Sequence, residues 1–330
     1  MLYIEPKSTD AAFHFSCEEY IMREFNLSEP VMMIWQTGNC VMLGCNQIAQ
    51  AEIDTTYAAK EGMQIVRRAS GGGTIFTDMG TLLFTVILPF AEGADPLESV
   101  REKVAAPIVK ALNEMGVPAK IQGRNDILVD GKKVSGVAQY AIGSAICTHG
   151  SILYDADLDN LERVLNVDDD KIRSKALPSV RSRVTNIKEH MPEPLPTLKF
   201  WERLKAHLFN ELQIRCYNLT DNDLVQINQI YRDKYANPSW TYGRAPKFSF
   251  HAGKRFPGGK VEVYLDIGKG VVTSCTIRGD FLGVAPICGL EKLLENRLFR
   301  QEDFEDALKD TALELYLGSI TKDELLSCIF

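Results

Sequence analysis

The sequence predicts an α+β protein: a mixed, mostly antiparallel sheet with packed helices, followed by a small α+β accessory domain. Candidate strands are joined mainly by short turns, with helices inserted between groups of them, an order that disfavours a doubly wound parallel sheet. A length of 330 residues exceeds the usual single domain. Residues 236–259, rich in Pro, Gly and Ser, punctuate the chain and place the boundary, giving units 1–247 and 248–330.

Asp10 caps a predicted amphipathic helix in which Phe13, Cys17, Tyr20, Ile21 and Phe25 recur near helical spacing, leaving Glu18 and Glu19 to face solvent. VMMIWQ (31–36) and CVMLG (40–44) read as two strands of a hairpin turning at TGN. IDTTYAAKEG reads as a helix ended by Gly62, and QIVRR as the strand that follows. TLLFTVILP (81–89) is an apolar strand, and PLESVREKVAAPIVKALNEMG a helix closed by Gly116. DILVDGKKVSGVAQY makes two strands about an Asp-Gly turn, and SAICTHGSILY another strand. KEHMPEPLPTLKF is a loop leading into helix-rich chain. After residue 259, KVEVYLDIGKGVVTSCTIRGDF reads as a hairpin around Gly268 and Gly270, and the helices LEKLLENRL and QEDFEDALKDTALEL complete the accessory unit.

Hydrophobic residues make up 45% and charged residues 25% of the chain, as in ordinary globular proteins. The net charge of −7, from 44 acidic and 37 basic residues, argues against a general nucleic-acid or anionic-membrane binder. The first residues carry no basic-then-apolar leader, and no later apolar run reaches bilayer length, so a cytoplasmic location is expected. Eight cysteines are scattered without a C-x-x-C pair and are expected to be free thiols.

The most informative stretch is RRASGGGT, residues 67–74. Three consecutive glycines mean either a backbone turning through positive φ or something lying close against the main chain. Neither G-x-x-x-x-G-K-[ST] nor a strand-borne G-x-G-x-x-G is present, so the common nucleotide loops are excluded. A glycine turn flanked by exposed arginines explains these eight residues equally well. Two further segments change that balance: GRNDILVDGKKVSG (123–136) and HGSILYDADL (149–158).

With Asp78 after the glycine loop, these elements in this order resemble the lipoate-protein ligase A family. SVRSRVTN, ending at Asn186, and NPSWTYGRAP followed by IRGDF extend the resemblance along the whole chain. It implies the fold shared with biotin-protein ligases and lipoyl transferases. It also implies a two-step reaction in which lipoate and ATP form lipoyl-AMP, and a lysine of an acceptor then takes the acyl group. Implied acceptors are apo lipoyl domains of 2-oxoacid dehydrogenase complexes or the glycine cleavage H protein.

On the matching residues, Lys133 is the catalytic candidate. It follows the Asp-Gly turn in a strand of small and apolar residues, where an ammonium can stabilise oxyanion charge. Arg68 with the amides of Gly73, Thr74, Ile75 and Phe76 would hold the ATP phosphates. Ser70, Gly71 and Gly72, with Lys133, Ser135, Gly136, Ala138, His149 and Gly150, would line the lipoate site. Asn125 and Asp126 would contact adenine, or Asp126 would serve Mg²⁺; capping a turn is the plain alternative for Asp126. His149 reads equally as a satisfied structural group, Trp35 as core or pocket wall, and Arg181 and Arg183 as a solvated strand face. Cys147 raises the alternative of an ATP-independent transferase working through a thioester, and a non-catalytic cofactor-binding homologue is a further one; a small buried side chain is the default for such a cysteine.

Overall fold

The computed structural model describes residues 1–89, 105–122, 126–165, 183–242 and 248–330. Asn125, Arg181 and the first half of the helix expected before Gly116 lie outside the described residues.

An eight-stranded sheet dominates the first 242 residues. Its strands are β1 (Leu2–Ile4), β2 (Val31–Trp35), β6 (Thr81–Pro89), β7 (Ala119–Gln122), β8 (Asp126–Val129), β9 (Lys132–Ile142), β10 (Ala145–Leu153) and β11 (Arg215–Cys216). They lie in the order β11-β1-β2-β6-β10-β9-β8-β7. Only the β1 pairings are parallel; the others are antiparallel.

The apolar run of β6 divides by the strand period of two between two cores. Leu82, Phe84, Val86 and Leu88 join one core, which is covered by helices α4 (Ala106–Glu114) and α6 (Thr197–Leu212). Leu83 and Ile87 join the other, against helix α1 (Ala11–Glu24). Asp10 caps α1 as expected, accepting from the Ala12 amide at 2.8 Å.

A second, three-stranded sheet, β4-β3-β5, carries the glycine loop. β3 (Cys40–Leu43) runs parallel to β4 (Gln64–Arg67) and antiparallel to β5 (Ile75–Thr77). The expected hairpin of 31–36 with 40–44 is therefore corrected: the two strands belong to different sheets. Gln36 Nε2 donates to the Met79 carbonyl and Thr37 pairs with the Thr77 hydroxyl, and these bonds lead the chain away before it can fold back. Short helices α2 (Ala49–Glu52) and α3 (Thr55–Lys60) connect β3 to β4, and α5 (Leu158–Val164) packs on this sheet.

After α6 come β11, helix α7 (Asp221–Ile230), a π-helical turn (Tyr231–Tyr235) and α8 (Pro238–Tyr242). From 248 onward the sheet β12 (Phe250–Phe256), β13 (Gly259–Gly268) and β14 (Val271–Gly279) packs on α9 (Cys288–Leu294), α10 (Gln301–Leu308), α11 (Glu314–Leu317) and α12 (Lys322–Ile329). These elements form a hydrophobic core of their own, drawn from Phe256 to Ile329. The β13–β14 turn matches expectation, with positive φ at Lys269 and Gly270. β12 corrects the reading of 236–259 as linker throughout, because its Gly and Lys residues sit on a sheet edge paired to β13.

Candidate functional site

The strand pair β8–β9 turns at Asp130 and Gly131, both at positive φ, the conformation that an Asp-Gly hairpin turn requires. This places Lys133 at the start of β9, where its Nζ lies 2.7 Å from Asp126 Oδ1. Both side chains keep a third or more of their surface exposed. Such a pair stabilises the fold by less than about 1 kcal/mol and is free to exchange partners when an anion arrives. Gly136 lies directly beneath: a Cβ there would fall 2.6 Å from Lys133 Nζ.

Across from β9, the loop 68–74 is held from inside. Arg68 is buried and donates to the carbonyls of Met42, Gly71 and Gly73 at 2.7–2.9 Å, and to Ser70 Oγ. Burial pushes its guanidinium down to about 10, so the group still carries its charge at neutral pH. Gln47 Oε1 accepts from the Gly44 amide and the Thr74 hydroxyl, bracing the other side of the loop. Gly72 has φ +88° and its amide donates to the Phe281 carbonyl at 3.0 Å.

Two cavities meet at Lys133. The larger, about 570 Å³, is lined by Gly73, Thr74, Ile75 and Phe76 at one wall and by Leu128, Leu153, Leu161, Leu165 and Val184 at the other. The smaller, about 330 Å³, is bounded by Phe15, Trp35, Met42, Leu83, Val137 and Leu282. Six residues line both: Gly73, Ile75, Asp126, Lys133, Gly136 and Ser151. Lys133 thus stands at the junction of the two volumes.

The remaining expected residues divide between the two spaces. Arg68, Gly72, Ala138, His149 and Gly150 line the smaller cavity only, whereas Ser135 lines the larger only, its buried hydroxyl lacking a partner. Ser70 and Gly71 line neither. Ser70 stands behind the wall, 2.6 Å from His149 Nε2, and a Cβ on Gly71 would meet the Phe281 carbonyl at 2.5 Å. Trp35 is both core and wall: it is buried, and its indole N–H donates to Thr85. Arg183 lines the larger cavity. Asp78 shapes a turn by accepting from Gly80, Thr81 and Asp157.

The sequence reading missed three features. Glu18 and Glu19, expected to face solvent, are buried because α1 is enclosed between the large sheet and the α7–π-helix segment. Glu18 accepts from Thr85 and pairs with His149 Nδ1 at 3.0 Å, and Glu19 accepts from Arg23, Lys234 and Tyr235. Arg67, expected beside an exposed glycine turn, is buried and donates to the carbonyls of Gly44, Gln47, Trp240 and Thr241, tying α8 to the loop. Asp280 and Leu282 bring the accessory unit into the wall of the smaller cavity. The two adjacent carboxylates between Cys17 and Tyr20, on a helix whose neighbouring residues are mostly apolar, were the one local signal for the first of these.

The arrangement corresponds to known protein families. Residues 10–209 match the model of the lipoyl protein ligase A/B catalytic domain, and residues 245–329 that of the bacterial lipoate protein ligase C-terminus. The chain belongs to the lipoyl protein ligase A/B family. It is 35% identical to lipoate-protein ligase LplJ of Bacillus subtilis over 334 residues, covering all of both chains. Among solved structures, P. falciparum LipL1 in complex with lipoate superposes with a TM-score of 0.80 at 21% identity, covering 99% of this chain and 98% of that one. Lipoate-protein ligase A bound with ATP superposes at 0.62 with 25% identity, covering 73% and 98%.

Cys147, the candidate thioester nucleophile, lies outside both cavities and is fully buried. Burial, reinforced by Glu18, pushes its thiol well above the usual range, the opposite of what a nucleophilic thiolate needs.

Proposed function

We propose that the protein is an ATP-dependent lipoate-protein ligase that forms lipoyl-AMP at Lys133 and transfers the lipoyl group to a lysine of an acceptor protein. The observation that carries this reading is that Lys133 lines two cavities at once, one beside Gly73 to Phe76 and the other bounded by Phe15, Trp35, Met42, Leu83 and Leu282. In this reading the larger cavity takes ATP, with its phosphates toward Gly73–Phe76 and adenine among the leucines, while Arg68, on the side of the smaller cavity, would serve the phosphates by holding the glycine loop in shape. Asn125 and Asp126 belong to the same nucleotide site. The smaller cavity takes the lipoyl chain, with Ala138, His149 and Gly150 along it and the carboxylate at Lys133.

A lipoate carboxylate oxygen attacks the α-phosphorus and pyrophosphate leaves. Lys133 releases Asp126 to neutralise the carboxylate and the developing phosphoryl charge, work that is electrostatic and positional rather than covalent. The acceptor amine then attacks the acyl carbon of the mixed anhydride and AMP leaves. Mg²⁺ would shield phosphate charge, and the residues present fit it: Asp126 offers one carboxylate beside the phosphate cavity, the usual protein contribution to a nucleotide-bound Mg²⁺.

The working units are a catalytic part, 1–247, and an accessory part, 248–330. Acceptors of the proposed kind are apo lipoyl domains of 2-oxoacid dehydrogenase complexes or a glycine cleavage H protein, and a cytoplasmic location suits them. No helix among the described residues is long and apolar enough to cross a membrane. The test is trapping of the intermediate: wild-type protein with lipoate and labelled ATP should accumulate lipoyl-AMP, and Lys133→Ala should not. Lipoyl-AMP formed at the normal rate by a folded Lys133→Ala would refute the assignment.

A further inference from the structure

Behind the smaller cavity lies a buried cluster of which only His149 reaches the cavity wall, while Glu18 and Cys147 have no part in the ligase chemistry. Glu18 projects from α1, and Cys147 and His149, two apart on β10, share one face of that strand. A Glu18 carboxylate oxygen, Cys147 Sγ and His149 Nδ1 all lie within 4.8 Å of one another, and all three residues are buried. We propose that these three side chains form a site for a thiophilic divalent cation, Zn²⁺ or Cd²⁺, and that the bound ion closes the acyl channel to lipoate.

The donor set of thiolate, imidazole and carboxylate is one that Zn²⁺ accepts, and its ligand atoms stand roughly 3–4 Å apart around the ion, so the side chains need only small rotations. The outer partners are already in place. Thr85 donates to Glu18 Oε1 at 2.6 Å, and Ser70 Oγ stands 2.6 Å from His149 Nε2. With the cation on Nδ1, the ring proton resides on Nε2 and donates to Ser70, the kind of outer hydrogen bond that fixes a ligating imidazole. Charge also balances, because one thiolate and one carboxylate cancel a dication, which makes its burial tolerable. The Cys147 thiol proton leaves to solvent, the Nδ1 proton is replaced by one on Nε2, and nothing is oxidised or reduced. His149 is itself channel wall, so an ion that holds its ring acts on the space that the acyl chain needs. The blocking effect rests on the assignment of that cavity to lipoate; the metal site does not.

The experiment uses full-length protein in which the exposed Cys216 and Cys288 are replaced by serine, freed of metal and free of added thiols. Titration with CdCl₂ should raise the ultraviolet thiolate-to-Cd²⁺ charge-transfer band to one equivalent. Cys147→Ser and Cys147→Ala should abolish it while keeping metal-free ligase activity, and Glu18→Gln should weaken binding at least about tenfold. A band that persists in both Cys147 variants, or that never appears, overturns the site. One equivalent of Cd²⁺ should also raise the apparent KM for lipoate in the Cys147 protein alone. An unchanged KM with the band present overturns the channel block and leaves the site standing.

Discussion

Replacing Gly136 by alanine moves the charge at the junction of the two cavities without removing it. The added methyl would sit 2.6 Å from Lys133 Nζ and 2.7 Å from its Cε, whereas ordinary contact begins at about 3.4 Å. The ammonium must therefore retreat by roughly 0.8 Å or more, and it leaves its 2.7 Å contact with Asp126 as it goes. A misplacement near 1 Å in a positioned charge costs about 10²-fold in rate. Stability should move little, within about 1 kcal/mol, because Gly136 is not at positive φ and alanine suits a strand better than glycine does. Lipoate-dependent exchange of pyrophosphate into ATP, measured beside a thermal melt, separates the two effects. Exchange within twofold of wild type would refute the claim that the position of Lys133 is what Gly136 protects, and so would a loss explained by unfolding.

Arg67→Met should destabilise the protein by about 3–5 kcal/mol in urea unfolding, since it leaves several buried carbonyls without a donor; a change under about 1 kcal/mol would show that they relax freely. His14, stacked on Trp35, is held neutral by burial, which lowers it from 6.5 to about 4. Between those values the unfolded chain takes up a proton that the folded one refuses, so stability present above pH 6.5 falls as pH drops through the window, by about 3 kcal/mol in all. His14→Phe should flatten that slope in denaturant midpoints measured from pH 7 to 4, and an unchanged slope would count against the assignment. Cys147→Ser should spare lipoyl-AMP formation, and its loss in a folded variant would point to a thioester route.

Much of this molecule is written locally. The β8–β9 hairpin follows from Asp130-Gly131, the α1 cap from Asp10, and the central strand β6 from six apolar residues divided between two cores. The turns that carry the glycine loop and Lys133 are likewise legible in short motifs, because backbone at positive φ, as at Gly72, Asp130 and Gly131, favours particular residues at fixed spacing. What escaped depends on contacts distant in the chain. The TGN turn does not close a hairpin because Gln36 and Thr37 find partners at Met79 and Thr77. Glu18 is buried because Thr85 and His149 meet its helix from strands β6 and β10, and Arg67 because α8, more than 170 residues later, supplies two of its carbonyls. The placement of Phe281 against the glycine loop has no local signature at all, being a contact between the two parts of the chain.

The most direct test of the account is acyl transfer itself, measured by mass spectrometry of an apo lipoyl domain incubated with lipoate and the purified protein. With ATP present the acceptor should gain one lipoyl group, and without ATP it should gain none. Lipoylation from free lipoate in the absence of ATP would contradict the acyl-adenylate mechanism and the role given to Lys133.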